Sequence, residues 1–151
     1  MRISAKADYA VRAALELAAS DGESVKGERI AEAQGIPLKF LENILQELRH
    51  AGVVRSQRGP EGGYRLARPA SEISLGEVIR AVDGPLASVR GEAPEDLAYE
   101  GSADALRSVW VALRANLRAV LDEVSVGEVA AGKLPSHVEQ LTRDPEAWTR
   151  R

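Results

Sequence analysis

Apolar residues recur three and four apart along most of this chain. From Ser4 to Ala19 they stand at Ala7, Ala10, Val11, Ala14, Leu15, Leu17 and Ala18, which predicts a helix with Ser4 as its N-cap. After a polar break at 21–24, residues 27–34 predict a short helix marked by Ile30, Ala31 and Ala33. Gly35-Ile36-Pro37 reads as a turn, since Gly ends one helix and Pro opens the next. Residues 38–51 carry Leu41, Ile44, Leu45 and Leu48 at helical spacing, closed by Gly52. Two short strands follow, 53–56 and 63–67. Ser74 with Glu77 and Ser125 with Glu128 each have the spacing of a capping box. The first predicts a helix through Val82, ending before Gly84-Pro85.

Residues 88–102 are acidic and irregular. Asp104 to Glu123 then predicts a long helix, with Leu106, Val109, Trp110, Leu113, Leu117, Val120 and Leu121 forming an apolar stripe. One small body cannot keep so wide a stripe dry, whereas a two-fold pair of chains can. The alternative is packing within one chain. From Lys133 the pattern fades and predicts a loosely held tail. The organisation expected is therefore residues 1–84, 85–102, 103–132 and a tail, 133–151. The expected fold is mainly α with a small β-wing.

Helix, helix–turn–helix and hairpin, in that order, describe a winged helix-turn-helix. In such a motif the N-terminal end of the second helix of the pair reaches base edges. Here that end presents Lys39, Phe40, Glu42 and Asn43. A Glu can accept from cytosine and an Asn can pair with adenine. The hairpin "QRGPEGGYRLARP" (57–69) fits a wing: Gly59 and Pro60 turn the chain, and Gly62 and Gly63 let backbone approach backbone. Arg58 at the tip suits a narrow minor groove, Arg65 and Arg68 suit phosphates, and Tyr64 braces the wing or touches a phosphate. A nucleotide-phosphate loop is the rival reading. The loop joins two strands, however, and no GK[ST] follows.

Charge supports a focused anionic partner. Net charge is −3, yet residues 1–68 hold 11 Lys+Arg against 9 Asp+Glu, and 69–151 hold 9 against 14. Between Arg49 and Arg68 five arginines face one acid. The chain has no cysteine. That removes disulfides, thiolate metal sites and a cysteine nucleophile, and it fits a reducing cytoplasm. No window is apolar enough for a membrane span, and the N-terminus reads as an amphipathic helix, not a signal peptide. Glu92, Glu95, Asp96 and Glu100 lack calcium-loop spacing, and His50 and His137 are far apart, so no metal is assigned. With no close His/acid pair, an enzyme has no support. Leu97, Tyr99 and Trp110 could line a small-molecule pocket, although Trp110 reads better as a core or interface aromatic.

"MRISAKADYAVRAALELA", "IAEAQGIPLKFLENILQELRHAGVVRSQRGPEGGYRLARP" and "ISLGEVIRAVDGPLASV" resemble the Rrf-two family of bacterial winged helix-turn-helix regulators, the family of IscR, NsrR and CymR. The resemblance is dense over 1–90 and continues through 109–129. It implies a cytoplasmic homodimer, usually a repressor, that binds double-stranded DNA at a pseudo-palindromic operator and pairs through the long helix. By position, Lys39, Phe40, Glu42 and Asn43 match the recognition contacts, and Arg58 matches the minor-groove arginine. Arg2, Ser4, Tyr9 and Arg12 match a first helix lying near the DNA backbone. Glu61 departs from a common Gly. Many members carry an iron–sulfur cluster on cysteines between the GPL segment and the Trp of the long helix. This interval has none, so the resemblance implies a member without a cofactor, and Asp8, which matches an acid ligand, reads as a first-turn acid. Cluster-free members that work with an enzyme partner give the alternative: control by a protein or small-molecule effector through the second half.

Overall fold

The computed structural model describes all 151 residues. It contains α1 (Ala5–Ala19), α2 (Gly27–Gln34), α3 (Leu38–His50), β1 (Val54–Gln57), β2 (Gly63–Leu66), α4 (Leu75–Asp83), α5 (Leu106–Leu121), α6 (Val126–Ala131) and α7 (Ser136–Arg143). The fold class is the expected one, mainly helical with one small antiparallel sheet. α1 buries a stripe of small residues, Ala7, Ala10, Ala13 and Ala14, with Leu17. Small side chains let α4 and α6 approach α1 closely. α3 adds Leu41, Ile44, Leu45 and Leu48, all fully buried, and Ile73, Val78 and Val126 complete the same core. Cutting one of those leucines to alanine would cost about 2–5 kcal/mol, a transfer loss plus a cavity.

The helix ends follow local chemistry. The Ser4 hydroxyl accepts from the Ala7 amide at 2.9 Å and caps α1. Gly35 closes α2 at φ +62°. At Ser125 the capping box is complete: its hydroxyl accepts from the Glu128 amide, and the Glu128 carboxylate accepts from the Ser125 amide. At Ser74 only half forms, because Glu77 reaches Arg68 and not the cap amide. The two caps are tied together: the Leu75 amide donates to Val124 and the Val126 amide to Ile73. α6 therefore returns from the far end of the long helix to sit on α1.

Two expectations shift. β1 begins one residue later than 53, although Val53 still accepts from the Ala67 amide at 2.9 Å. The tail is partly helical, although nearly all of it stays exposed. It holds α7, anchored to α5 where the His137 ring Nε2 lies 2.9 Å from the Ala119 carbonyl, and a turn at 145–148 in which Trp148 Nε1 donates to the Thr142 carbonyl. Sequence spacing missed α7 because only Val138 and Leu141 mark its apolar face.

Candidate nucleic-acid interface

α3 has two sharply different faces. Its four large buried residues look inward, and Lys39, Phe40, Glu42 and Asn43 are all exposed near its N-terminal end. Phe40 is held edge-on to Tyr9 of α1, with ring centroids 5.6 Å apart and planes at 87°. It is 44% exposed, so it caps an aromatic pair at the surface and does not fill the core. Phe40 and Asn43 also border an open polar hollow with Lys6 and His50, two residues the sequence reading did not select. Lys6 bonds Glu47 at 2.8 Å and locks α1 to α3.

The α1 candidates divide. Arg2 is exposed. Ser4 is committed to the helix cap and donates to the Asp83 carboxylate at the end of α4. Tyr9 is half-buried beneath Phe40. Arg12 donates to the Gln34 carbonyl at 2.8 Å and stacks over the Tyr9 ring at 4.9 Å. Its Nε stands 3.0 Å from Asp8, a charge contact without hydrogen-bond alignment. Arg12 thus holds the α2–α3 turn against α1, and Asp8 is a first-turn acid paired with it.

The wing is a hairpin with Val54 opposite Leu66, Arg55 opposite Arg65, Ser56 opposite Tyr64 and Gln57 opposite Gly63. A third segment steadies it: Val25 and Tyr64 exchange both backbone hydrogen bonds at 2.8 Å. Tyr64 is half-buried against the core, so it braces the wing. The glycines are required by the protein's own backbone. A Cβ on Gly62 would lie 2.3 Å from the Gln57 carbonyl oxygen, and one on Gly63 (φ +146°) 2.5 Å from that of Val25. Arg58, Gly59 and Pro60 form the exposed tip, and Arg65 is exposed on a strand. Arg68 leaves the group: it bonds Glu77 and the Glu72 carbonyl, which turns it toward α4. Arg55 is a residue the sequence reading passed over; only the strand register reveals it beside Arg65.

In the second half, α5 has no fully buried residue. Val109 is 54% exposed, and Leu106, Trp110, Leu113, Leu117, Val120 and Leu121 are half-buried. Trp110, Leu113, Leu117 and Leu121 line one wall of an apolar cleft of about 550 Å³, whose other walls are residues 1–3 and 83–89. This cleft lies between the long helix and the DNA-binding half, where a pocket is expected, but of Leu97, Tyr99 and Trp110 only Trp110 lines it. Leu97 is buried, and Trp110 Nε1 donates to the Tyr99 hydroxyl at 3.1 Å, so these residues pin the 88–103 loop to α5. Glu95 joins them through Arg114. Its carboxyl is held below the ordinary value, first by a hydrogen bond from its own backbone, then by Arg114, with Arg118 adding charge. No helix is long and apolar enough to cross a membrane.

Comparison with known proteins agrees with this geometry. The family model Rrf2, described as an iron-dependent transcriptional regulator, matches residues 3–132. The HTH-type transcriptional regulator Rv1287 of Mycobacterium tuberculosis is 55% identical over 148 residues, 97% of this chain and 92% of that protein. IscR of Escherichia coli is 35% identical over 97% of this chain and 96% of its own length. Among solved structures, CymR of B. subtilis, the global cysteine regulator, superposes with a TM-score of 0.74 at 29% identity, covering 88% of this chain and 98% of that one. IscR of T. potens superposes at 0.66 and 30% identity, covering 100% and 93%. The iron in the family's description finds no matching donors here. Clusters are held mainly by thiolates, the chain has no cysteine, and the structure brings no three His, Asp or Glu side chains together. Its relatives are regulators of transcription, not enzymes. With a winged helix-turn-helix head and a family model spanning most of its length, this chain belongs to the Rrf2 family of transcriptional regulators.

Proposed function

We propose that the chain is a cluster-free homodimeric repressor that binds a pseudo-palindromic operator. Lys39, Phe40, Glu42 and Asn43 of α3 read the major groove. Arg58, Gly59 and Pro60 enter the minor groove, held there by Gly62, Gly63 and Tyr64. Arg2 and Arg65 meet phosphates. Ser4, Tyr9 and Arg12 act less directly, by holding α1 and the turn before α3 in place. The observation that carries this reading is that Arg2, Lys39, Arg58 and Arg65 are exposed on the winged helix-turn-helix head and enter no ion pair within the chain. Unpaired cations beside an exposed recognition helix are the electrostatic footprint of a duplex binder.

A selection of bound duplexes from a random pool tests it, using purified protein with and without iron and sulfide and recording its absorbance. A two-fold-symmetric motif indifferent to iron is expected; a coloured protein whose motif depends on iron would overturn the cluster-free reading. Arg58→Ala should weaken binding and lower the salt slope by about one phosphate equivalent. Glu42→Ala should shift base preference at one position by roughly 1–3 kcal/mol, with little change in non-specific affinity.

The second reading, control by an effector or enzyme partner through the second half, rests on the exposed carboxylates Glu92, Asp96, Glu100 and Asp104 around the pinned loop. Capture of one protein by the intact chain, lost when those carboxylates become amides, is the result expected of an enzyme partner.

A further inference from the structure

Where α4, the 85–94 loop and α5 meet, the chain forms a small concavity of about 180 Å³. Three arginines line it, Arg80, Arg114 and Arg118, against one carboxylate, Glu92. Arg80 is paired from outside by Asp122 at 2.8 Å, and Arg114 by Glu95. Arg118 has no ion pair. The Arg114 side chain is only 14% exposed, and a guanidinium has five donors for which one carboxylate is an incomplete partner. At about 180 Å³ the hollow is a third the size of the apolar cleft beside α5, which suits a small oxyanion.

The backbone around the hollow is also unusual. The Val89–Glu92 hairpin turns through Arg90 and Gly91, both at positive φ, as a tight two-residue turn requires. Ala87, at φ +57°, serves no such turn, yet it sits in the wall in a conformation that L-residues avoid. Such residues gather at sites that bind something.

We propose that Arg114 and Arg118 form a receptor for a small, doubly charged oxyanion, a phosphate or a dicarboxylate, which displaces Glu95. Glu95 is the internal competitor: it stands outside the hollow's lining, yet its carboxylate accepts from Arg114 and feels the charge of Arg118. An incoming oxyanion engages both guanidiniums at once, and bidentate Arg–oxyanion contacts are the strong ones. Glu95 sits on the 94–96 turn that packs against α5, so its release frees the loop there. The same loop leads back to Asp83, which accepts the Ser4 hydroxyl at the foot of the DNA-binding head. The ligand-binding step stands apart from the regulator reading; only its consequence for DNA rests on it.

Isothermal titration of the full chain with inorganic phosphate, sulfate and succinate, at matched chloride ionic strength, tests the site. At least one probe should bind at millimolar concentration or below, and which one binds separates phosphoryl from carboxyl chemistry. Arg118→Gln removes an exposed side chain without an ion pair, so the fold should survive, as circular dichroism will show. It should weaken binding roughly tenfold or more, the loss of a charge-assisted contact. Glu95→Gln should tighten binding by removing the competitor. No heat from any probe, or equal affinity in Arg118→Gln, overturns the site; unchanged affinity in Glu95→Gln overturns the displacement. Titrating the selected duplex without a probe reports on DNA binding separately, so failure there leaves the oxyanion result intact.

Discussion

Arg55 and Arg65 face each other directly across the wing, and neither takes part in an ion pair, although Asp21 borders the same hollow. Like charges at opposed strand positions repel, so this pair costs stability. A fold that keeps such a cost on an exposed hairpin does so sensibly if an anion lies over the pair. Two opposite effects should follow from Arg65→Glu. Chemical stability should rise, by roughly 0.2–1 kcal/mol, as a repulsive cross-strand pair becomes an attractive one. DNA affinity should fall if the wing lies along the duplex, because a cation there becomes an anion. Urea melts and duplex titrations on the same preparation measure both. A stabilised protein with unchanged DNA affinity would show that this face of the wing points away from the duplex.

At the scale of elements, the joint between α4 and α6 carries much of the architecture. Ser125 is buried, caps α6 in a complete box and lies beside Ser74 in an isolated antiparallel bridge. Ser125→Ala should lower the unfolding free energy by about 0.5–2 kcal/mol in urea. Ser74→Ala breaks only half a box and should cost less. The loop before α5 carries a pH signature. Because the Glu95 carboxyl lies below its ordinary value when folded, its contribution is present above the unfolded value and is lost as pH falls through the folded one. Following the urea midpoint against pH should show wild type and Glu95→Gln converging in acid, with wild type higher toward neutrality. Most of these elements were legible in the sequence, because Leu41, Ile44, Leu45 and Leu48 keep strict period and the caps Ser4, Ser74 and Ser125 are local signals. What was not legible depended on contacts between distant residues. Nothing near Arg68 reveals that Glu77 takes it from the wing, and nothing near Val25 reveals that it pairs with Tyr64. Arg12 has the charge and position expected of a DNA contact, but the carbonyl it bonds, that of Gln34, is twenty-two residues away. Tyr99 looks like a pocket wall until its hydroxyl accepts from Trp110, which itself lines the cleft beside α5.

The whole molecule leaves its longest helix unfinished. α5 runs sixteen residues with no side chain fully buried, while every helix of the reading head has an interior. The apolar cleft beside it opens next to residues 1–3, so a second copy seated on α5 would also steady the segment holding Arg2 and Ser4. Val109 distinguishes dimerisation from folding, since at 54% exposure it contributes little within one chain. Val109→Glu should leave the urea midpoint at low protein concentration almost unchanged and convert the protein to a monomer in sedimentation velocity. A monomer offers one reading head and roughly half the phosphate contacts. Since the logarithm of affinity falls with the logarithm of salt in proportion to those contacts, the slope should drop to about half as well. Affinity for a two-half-site duplex should fall far more than affinity for a single half-site, because the link that made the second contact intramolecular is gone. If Val109→Glu stays dimeric, the seam lies elsewhere on α5. If it becomes monomeric with the full salt slope retained, each head acts alone, and operator symmetry is no part of recognition.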